Sequence, residues 1–362
     1  MTPVVSFPDL FRGLWPYDPF PWQTMLADRV VAGRWPAALD LPTASGKTAC
    51  IDIALFALAM QADEPIEKRT APRRVWFVVD RRIVVDEAFE RARTIAERLA
   101  SAKEGPLRDI ADRLRKLSGT DRPLAVARLR GGIFRDDGRA RLPSQPAVIT
   151  STVDQLGSRL LFRGYGRSHL AAPIFAGLAA NDSLVLLDEA HCAVPFLQTL
   201  RAVERYRGSG WAEAPLPSPF AAVVMSATPP ADVPENEVFP GAQRDQALDH
   251  DVLRQRLYAK KEALLVANPS VKSGNDDPLV QNAAERARDF IKLGKQRVAV
   301  MVNRVATAGH VADLLAEEAS DSYDVVLLTG RLRPYERDQI VERWKPFLKA
   351  SSPSIRPSRS SW

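Results

Sequence analysis

The chain has 362 residues, 46% of them hydrophobic and 26% charged, with 28 prolines to punctuate it; this is the make-up of a folded chain long enough for two ordinary domains, not of a disordered one. A formal charge of +6 favours a polyanionic partner without naming one, and the two cysteines, Cys50 and Cys192, lack metal-ligand spacing, so neither a disulfide framework nor a zinc site is expected. The sequence does not open on a basic start followed by an apolar core, and no run approaches the length of a bilayer span, so a monomer in the reducing cytoplasm, with no membrane partner, is the expectation.

Short runs rich in Val, Ile and Leu alternate with helical patterns, which predicts an α/β fold with parallel sheets flanked by helices. Residues 1–17 form an N-terminal segment ahead of that alternation, and the first domain is expected over 18–230. Its strands are predicted at 37–41, 75–80, 124–129, 147–151, 183–188 and 221–226, and its helices at 47–61, 83–101, 153–162 and 193–206. Within 83–101, Val84, Val85, Ala88, Phe89, Ala92, Ile95, Ala96 and Leu99 recur at helical spacing, which marks a face that packs on the sheet.

After Thr228 the text "PPADVPENEVFPGAQRDQALDHDV" is dense in Pro, Asp and Glu and reads as a connection over 231–260. A second, incomplete α/β unit is expected over 261–349, with helices at 281–293, 305–319 and 334–349 and strands at 297–302 and 323–328. Residues 350–362, "ASSPSIRPSRSSW", lose all periodicity; they read as a disordered or foreign tail of the kind that a frameshift or a premature stop leaves.

The stretch "LDLPTASGKTAC" (39–50) places small residues and Gly46-Lys47-Thr48 between a strand and a helix. Such a loop offers backbone N–H groups and a helix dipole to a phosphate. Gly46 permits close approach, Lys47 supplies charge, Thr48 offers a hydroxyl to Mg²⁺, and Thr43, Ala44 and Ser45 complete the cradle for ATP. Leu41 occupies the position where the general phosphate-loop pattern has its first glycine.

Further along, "SLVLLDEAH" (183–191) delivers Asp188 and Glu189 to the end of an apolar strand, the edge at which open α/β sheets bind ligands. Asp188 is the candidate Mg²⁺ ligand, and Glu189 the candidate that orients and deprotonates water. "AAVVMSATPP" (221–230) ends a strand in Ser226 and Thr228, two hydroxyls suited to coupling the carboxylates to the γ-phosphate. Upstream, Gln23 in "DPFPWQTMLADRVVAG" carries an amide that matches both the donor and the acceptor of an adenine edge.

In this order, Gln23, Gly46–Thr48, Asp188–His191 and Ser226–Thr228 resemble the nucleotide motifs of the DEAH-type superfamily 2 helicases, over residues 18 to 345. "WFVVDRRIVVDEAFERA" (76–92), "LRGG" (129–132) and "ITSTVDQLGSRLLFRGYG" (149–166) are similar to the helicase part of the type I CRISPR-associated helicase-nuclease, in the type I-U or I-G-like form with the helicase first. The resemblance implies two RecA-like domains, ATP and Mg²⁺ as cofactors, single-stranded DNA as partner with RNA as the alternative, and a CRISPR surveillance complex. It also implies strand contacts at Arg81, Arg82, Arg130, Gly131, Thr152 and Gln155 in the first domain, and at Asn303, Arg304 and Arg331 in the second.

Two parts expected of the complete family member are not found in the text. "LLTGRLRPYERDQ" (327–339) follows a predicted strand directly and is more similar to a strand-contacting motif than to an arginine finger. The four histidines, His169, His191, His250 and His310, do not cluster as a two-metal nuclease needs, and His250-Asp251 reads as a surface dipeptide. The expectation is the front part of a longer motor-nuclease; the alternatives are an RNA helicase and an inactive nucleotide- or nucleic-acid-binding fragment.

Overall fold

The computed structural model describes residues 5–80, 82–129, 142–166, 168–260, 262–267, 277–317, 319 and 323–348. The chain divides into two units, Met1–Lys260 and Lys261–Trp362. In chain order the first unit holds α1 (Phe7–Leu14), α2 (Pro21–Ala32), β1 (Ala38–Asp40), α3 (Cys50–Met60), β2 (Arg74–Val79), α4 (Arg82–Ser101) and α5 (Gly105–Ser118). It continues with β3 (Ala125–Leu129), β4 (Ala147–Thr152), α6 (Val153–Leu160), α7 (Ala172–Ala180), β5 (Ser183–Asp188), α8 (Val194–Arg207), β6 (Phe220–Ser226), β7 (Val238–Phe239), α9 (Arg244–Ala247) and α10 (Asp251–Tyr258).

Seven strands form one parallel sheet in the order β3-β4-β2-β5-β6-β1-β7. The alternation along β2 shows why it is a central strand: Val75, Phe77 and Val79 face one apolar layer, while Trp76 and Val78 face the other. The layer under Val75, Phe77 and Val79 is filled by α1 to α5. Leu156 of α6, Ala179 of α7, and Phe196, Leu197 and Leu200 of α8 fill the opposite one. The reversal follows from handedness. From β1 to β3 the chain steps toward one end of the sheet and from β4 to β7 toward the other, so right-handed crossovers put the two sets of helices on opposite faces.

Residues 1–17 pack into the first unit: Ser6 and Asp9 cap α1 reciprocally, and Phe7, Leu10, Phe11 and Leu14 are each 1% exposed in the main core. Residues 231–260, expected as a connection, also add to this unit, since β7 pairs in parallel with β1 while Phe239, Ala247 and Leu253 are buried in the same core.

The N-terminal helix is fastened through a buried charge. Asp52 of α3 is fully buried and accepts from Arg91 of α4 at 2.7 and 3.0 Å and from the Trp15 indole N–H at 2.6 Å. The Arg91 guanidinium lies 4.2 Å over the Trp15 ring. Burial works against its charge, but the Asp52 carboxylate outweighs it and holds the Arg91 pKa above its ordinary value.

The second unit, described by itself, contains α11 (Pro278–Lys292), α12 (Val305–Glu317) and α13 (Pro334–Leu348). Val280, Ala284 and Ala287 of α11 meet Val311 and Leu315 of α12 in a small core. Residues 297–302 and 323–328, expected as strands, carry no strand hydrogen bonding, and Met301, Leu327 and Leu328 are exposed. Their composition suits a parallel strand, but such a strand forms only with a neighbour for its N–H and C=O groups. No described helix is long and apolar enough to cross a membrane.

Arg91→Met leaves the Asp52 carboxylate buried without its cation and should cost about 3–5 kcal/mol. Urea unfolding followed by tryptophan fluorescence measures it, and the double change Asp52→Leu with Arg91→Met should recover a large part of the loss.

Candidate functional site

The sheet order brings the carboxyl ends of β5, β6 and β1 side by side although 148 residues separate Asp40 from Asp188 in sequence. Asp188 lies opposite Met225, and Ser226 lies opposite Asp40. The predicted phosphate loop, carboxylates and hydroxyls therefore share one edge, where strand ends and helix N-termini converge.

Between β1 and α3 the chain makes a tight turn in which Ser45 N–H donates to the Pro42 carbonyl at 3.3 Å, with Ala44 at φ 63° in third position. A positive φ there is ordinarily the property of glycine. Gly46 follows at φ 82°, and a Cβ on it would sit 3.2 Å from Gln23 Nε2 and 3.5 Å from the Phe20 ring. A single turn of 3₁₀ helix, Lys47–Ala49, then leads into α3.

Three consecutive loop carbonyls are tied down. Ala44 O accepts from Arg256 of α10 at 2.8 Å, Ser45 O from the Trp22 indole at 3.0 Å, and Gly46 O from Gln23 at 3.4 Å. Because a trans peptide points its N–H opposite its carbonyl, anchoring Ser45 O and Gly46 O turns the N–H groups of Gly46 and Lys47 the other way. The Gln23 amide is 3% exposed and works on protein groups: its carbonyl accepts from Phe20 N–H at 2.9 Å, at the start of α2, while its NH₂ holds the loop.

Lys47 is 8% exposed, and its ammonium contacts only weak partners: Leu41 O at 3.4 Å and Asp188 Oδ1 at 3.9 Å. Leu41, in place of the first glycine of the general pattern, is fully buried and contributes its carbonyl to Lys47. Asp188 Oδ1 is buried without a hydrogen bond, as are Ser45 Oγ and Asp40 Oδ1. Burial raises the Asp188 pKa, Lys47 partly counters this, and the Glu189 charge adds to it. Lys47 has three donors and Asp188 an unused acceptor, so the pair is short of partners that a phosphate and a hydrated cation would supply.

Glu189, at φ 52°, turns out of the strand, with its N–H on Met225 O at 3.2 Å and its half-exposed carboxylate 3.3 Å from His191 Nδ1. Ser226 is 2% exposed and accepts from Thr228 N–H at 3.1 Å, which folds the exposed Thr228 back over the strand end. Cys50, at the start of α3, is free and buried, and burial pushes its thiol pKa up, so it carries no reactive thiolate. Among the described residues, no three His, Cys, Asp or Glu side chains cluster as a metal site. The unpartnered Asp188 Oδ1 is an oxygen of the kind Mg²⁺ takes, an ion that keeps waters and phosphates for most of its positions.

This edge of the sheet belongs to a known architecture. Structures similar to the chain include the DEAD-box helicase Mss116 bound to ssRNA and UDP-BeF, with TM-score 0.56 and 13% identity over 94% of this chain and 62% of that one. T. fusca Cas3 with ADP gives TM-score 0.54 and 17% identity over 94% of this chain and 39% of that one. Mycobacterium smegmatis Lhr, bound to ssDNA and AMP-PNP, gives 0.50 and 17% over 94% and 40%. The fold is that of the RecA-like helicases. The chain spans less than two thirds of each of these structures. No protein-family model and no curated protein matches it.

Of the expected strand contacts, Arg82 and Thr152 lie on the other half of the edge of the first unit, beyond β2 and β4. Arg81, Arg130 and Gly131 lie outside the described residues, and Arg82 opens α4. Thr152 ends β4 opposite Val79, and Gln155 is 7% exposed, its side-chain carbonyl accepting from Arg159 at 3.1 Å. Gln155 thus faces inward and braces α6 instead of facing solvent. Asn303, Arg304 and Arg331 are exposed in the second unit, and Arg333 pairs with Glu336. Sequence reasoning missed Phe20, Trp22, Arg244 and Arg256, and read His250 as part of a surface dipeptide, since no local pattern connects a helix at 251–258 with a loop at 41–46.

Two outcomes follow from this geometry. Gly46→Ala forces a side chain into the left-handed region at a cost of about 1–2 kcal/mol and displaces Gln23; thermal unfolding should show the loss of stability, and titration with an ATP analogue the loss of binding. Asp188→Asn removes a carboxyl whose pKa is raised in the fold. Raised acids destabilise above the ordinary value near 3.8 and increasingly so up to the folded value. The variant should therefore melt higher than the parent at pH 7, and the gap should close as the pH falls below that ordinary value.

Proposed function

We propose that the chain is the ATP-dependent motor core of a CRISPR interference helicase-nuclease, coupling ATP hydrolysis to movement on single-stranded DNA. The observation that carries the reading is the Lys47–Asp188 pair at 3.9 Å, buried at the joint carboxyl ends of β1 and β5 and short of hydrogen-bond partners. The similarity of fold to helicases supports it, as do the motifs that resemble the CRISPR-associated form.

In this reading the N–H groups of Gly46, Lys47 and Thr48 and the Lys47 ammonium bind the β- and γ-phosphates. Asp188 and Thr48 would hold Mg²⁺, which when bound would supply positive charge against that building up on the phosphate oxygens. Glu189, thrown out of the strand by its left-handed turn, receives the proton of the attacking water, with His191 beside it. Ser226 and Thr228 link the strand end next to Asp188 to the rest of the edge. Single-stranded nucleic acid lies across the half of the edge formed by β2, β4 and β3, where Thr152 ends β4 and Arg82 opens α4. Contacts there to sugar and phosphate carry no sequence preference.

Lys47→Ala should lower ATP turnover on the order of 10²–10³-fold, and Glu189→Gln should keep ATP binding while turnover falls roughly 10²–10⁴-fold. Both are read as phosphate release with and without nucleic acid. Stimulation by single-stranded DNA is the expected result; stimulation by RNA alone would turn the assignment to an RNA helicase, and binding without turnover to a nucleotide-binding fragment.

A further inference from the structure

Two of the three carbonyl anchors of the phosphate loop come from α2, next to the loop, and both are buried: Trp22 is 0% and Gln23 3% exposed. The third comes from the far end of the first unit. Arg256 of α10 is an exposed side chain, 212 residues from Ala44, and donates to the Ala44 carbonyl at 2.8 Å. It does not act alone. Arg244 of α9 donates to the Asp40 carbonyl at 3.0 Å and pairs with the Asp40 carboxylate, at the point where β1 enters the loop. Between the two arginines, His250 caps α10 by accepting from Val252 N–H at 3.2 Å and sets its ring edge-on to Phe20, with centroids 4.9 Å apart. Phe20 is the ring that lies against Gly46, and the Arg256 guanidinium stands 5.9 Å from its centroid.

The residue that Arg256 holds is the least comfortable one in the loop. Ala44 is a non-glycine residue at φ 63° in a turn position that favours glycine. Such a conformation persists only where its surroundings hold it. The Ala44–Ser45 peptide is held on both sides, its N–H by Pro42 O and its carbonyl by Arg256. Without Arg256 the peptide is free to turn, and the register of the following Gly46 and Lys47 N–H groups is no longer fixed from this side.

We infer that Arg256 is a positioning residue for the phosphate loop, which it clamps from α10 in the shape that receives a nucleoside triphosphate, so that nucleotide affinity and the ordering of α9 and α10 are linked. The inference rests on the nucleotide-site reading above. Linkage is reciprocal: if an ordered α10 tightens nucleotide binding, bound nucleotide must protect α10 by the same factor. That segment ends at Tyr258, directly before the second unit begins at Lys261, so the state of the loop reaches the chain that leads into that unit.

The test uses the full chain with Mg²⁺ and a non-hydrolysable ATP analogue. Arg256→Ala should weaken binding roughly five- to tenfold, the worth of one charged hydrogen bond at an exposed site, with the melting temperature of the nucleotide-free protein unchanged. Arg256→Lys, which keeps a charged donor, should restore most of the affinity. Amide hydrogen exchange in 244–258 should slow on adding the analogue to the parent and not on adding it to Arg256→Ala. Equal affinities for parent and Arg256→Ala, or exchange in 244–258 indifferent to nucleotide, would overturn the inference while leaving the nucleotide site intact. A parallel fall in melting temperature would overturn it by making Arg256 a structural prop. If the parent binds no analogue at all, the nucleotide reading itself fails, a result separable from the others.

Discussion

Everything at the candidate site depends on where three peptide carbonyls point. A phosphate loop has no side chains to give its ligand except at its end; it works by presenting N–H groups, and in a trans peptide those are steered by the carbonyls on the other side. In this chain Ala44 O, Ser45 O and Gly46 O are each fastened to a separate side chain. The burial of α2 in the main core therefore bears on the shape of the loop. Trp22 and Gln23 are packed there and reach the loop from a rigid base, and the capping bond between Gln23 and Phe20 N–H fixes the same amide that holds Gly46.

Around that cradle the charges are kept in an unsatisfied state. Lys47 and Asp188 are close enough to attract and too far apart to hydrogen-bond, and burial raises the carboxyl's pKa. The contrast with Asp52 is instructive. That carboxylate is also buried, yet it receives two bonds from Arg91 and one from Trp15, and it ties three helices together. One buried acid is saturated and structural; the other is left short of donors at the carboxyl edge of the sheet, and perturbed groups of this kind gather in working sites.

The sheet was largely legible because strands buried on both faces read as unbroken apolar runs, and β2, β4, β5 and β6 lie within two residues of where the apolar runs end. The motif residues were legible because a sharp, glycine-dependent turn and a strand-end acid leave local marks. Elements whose signals are not local were hidden. α1 lies in Pro-rich text, although the Ser6–Asp9 cap was there to read. β7 is only two residues long in Pro-rich text, and Arg256 has meaning only against a loop 212 residues earlier. At 297–302 and 323–328 composition misled, because apolar sequence specifies a strand only in the company of another strand.

The short strand β7 also decides what the smallest self-contained piece of the first unit is. β1, which carries the phosphate loop, is three residues long and has β6 on one side and β7 on the other. A chain cut at the end of β6 would leave β1 as an open margin, with unpaired backbone groups next to the site and Phe239 and Leu253 removed from the core. Such margins invite pairing with other chains. The stretch that read as a connection in the sequence is thus the selvedge of the sheet, the finished border that keeps the margin beside β1 from unravelling into its neighbours.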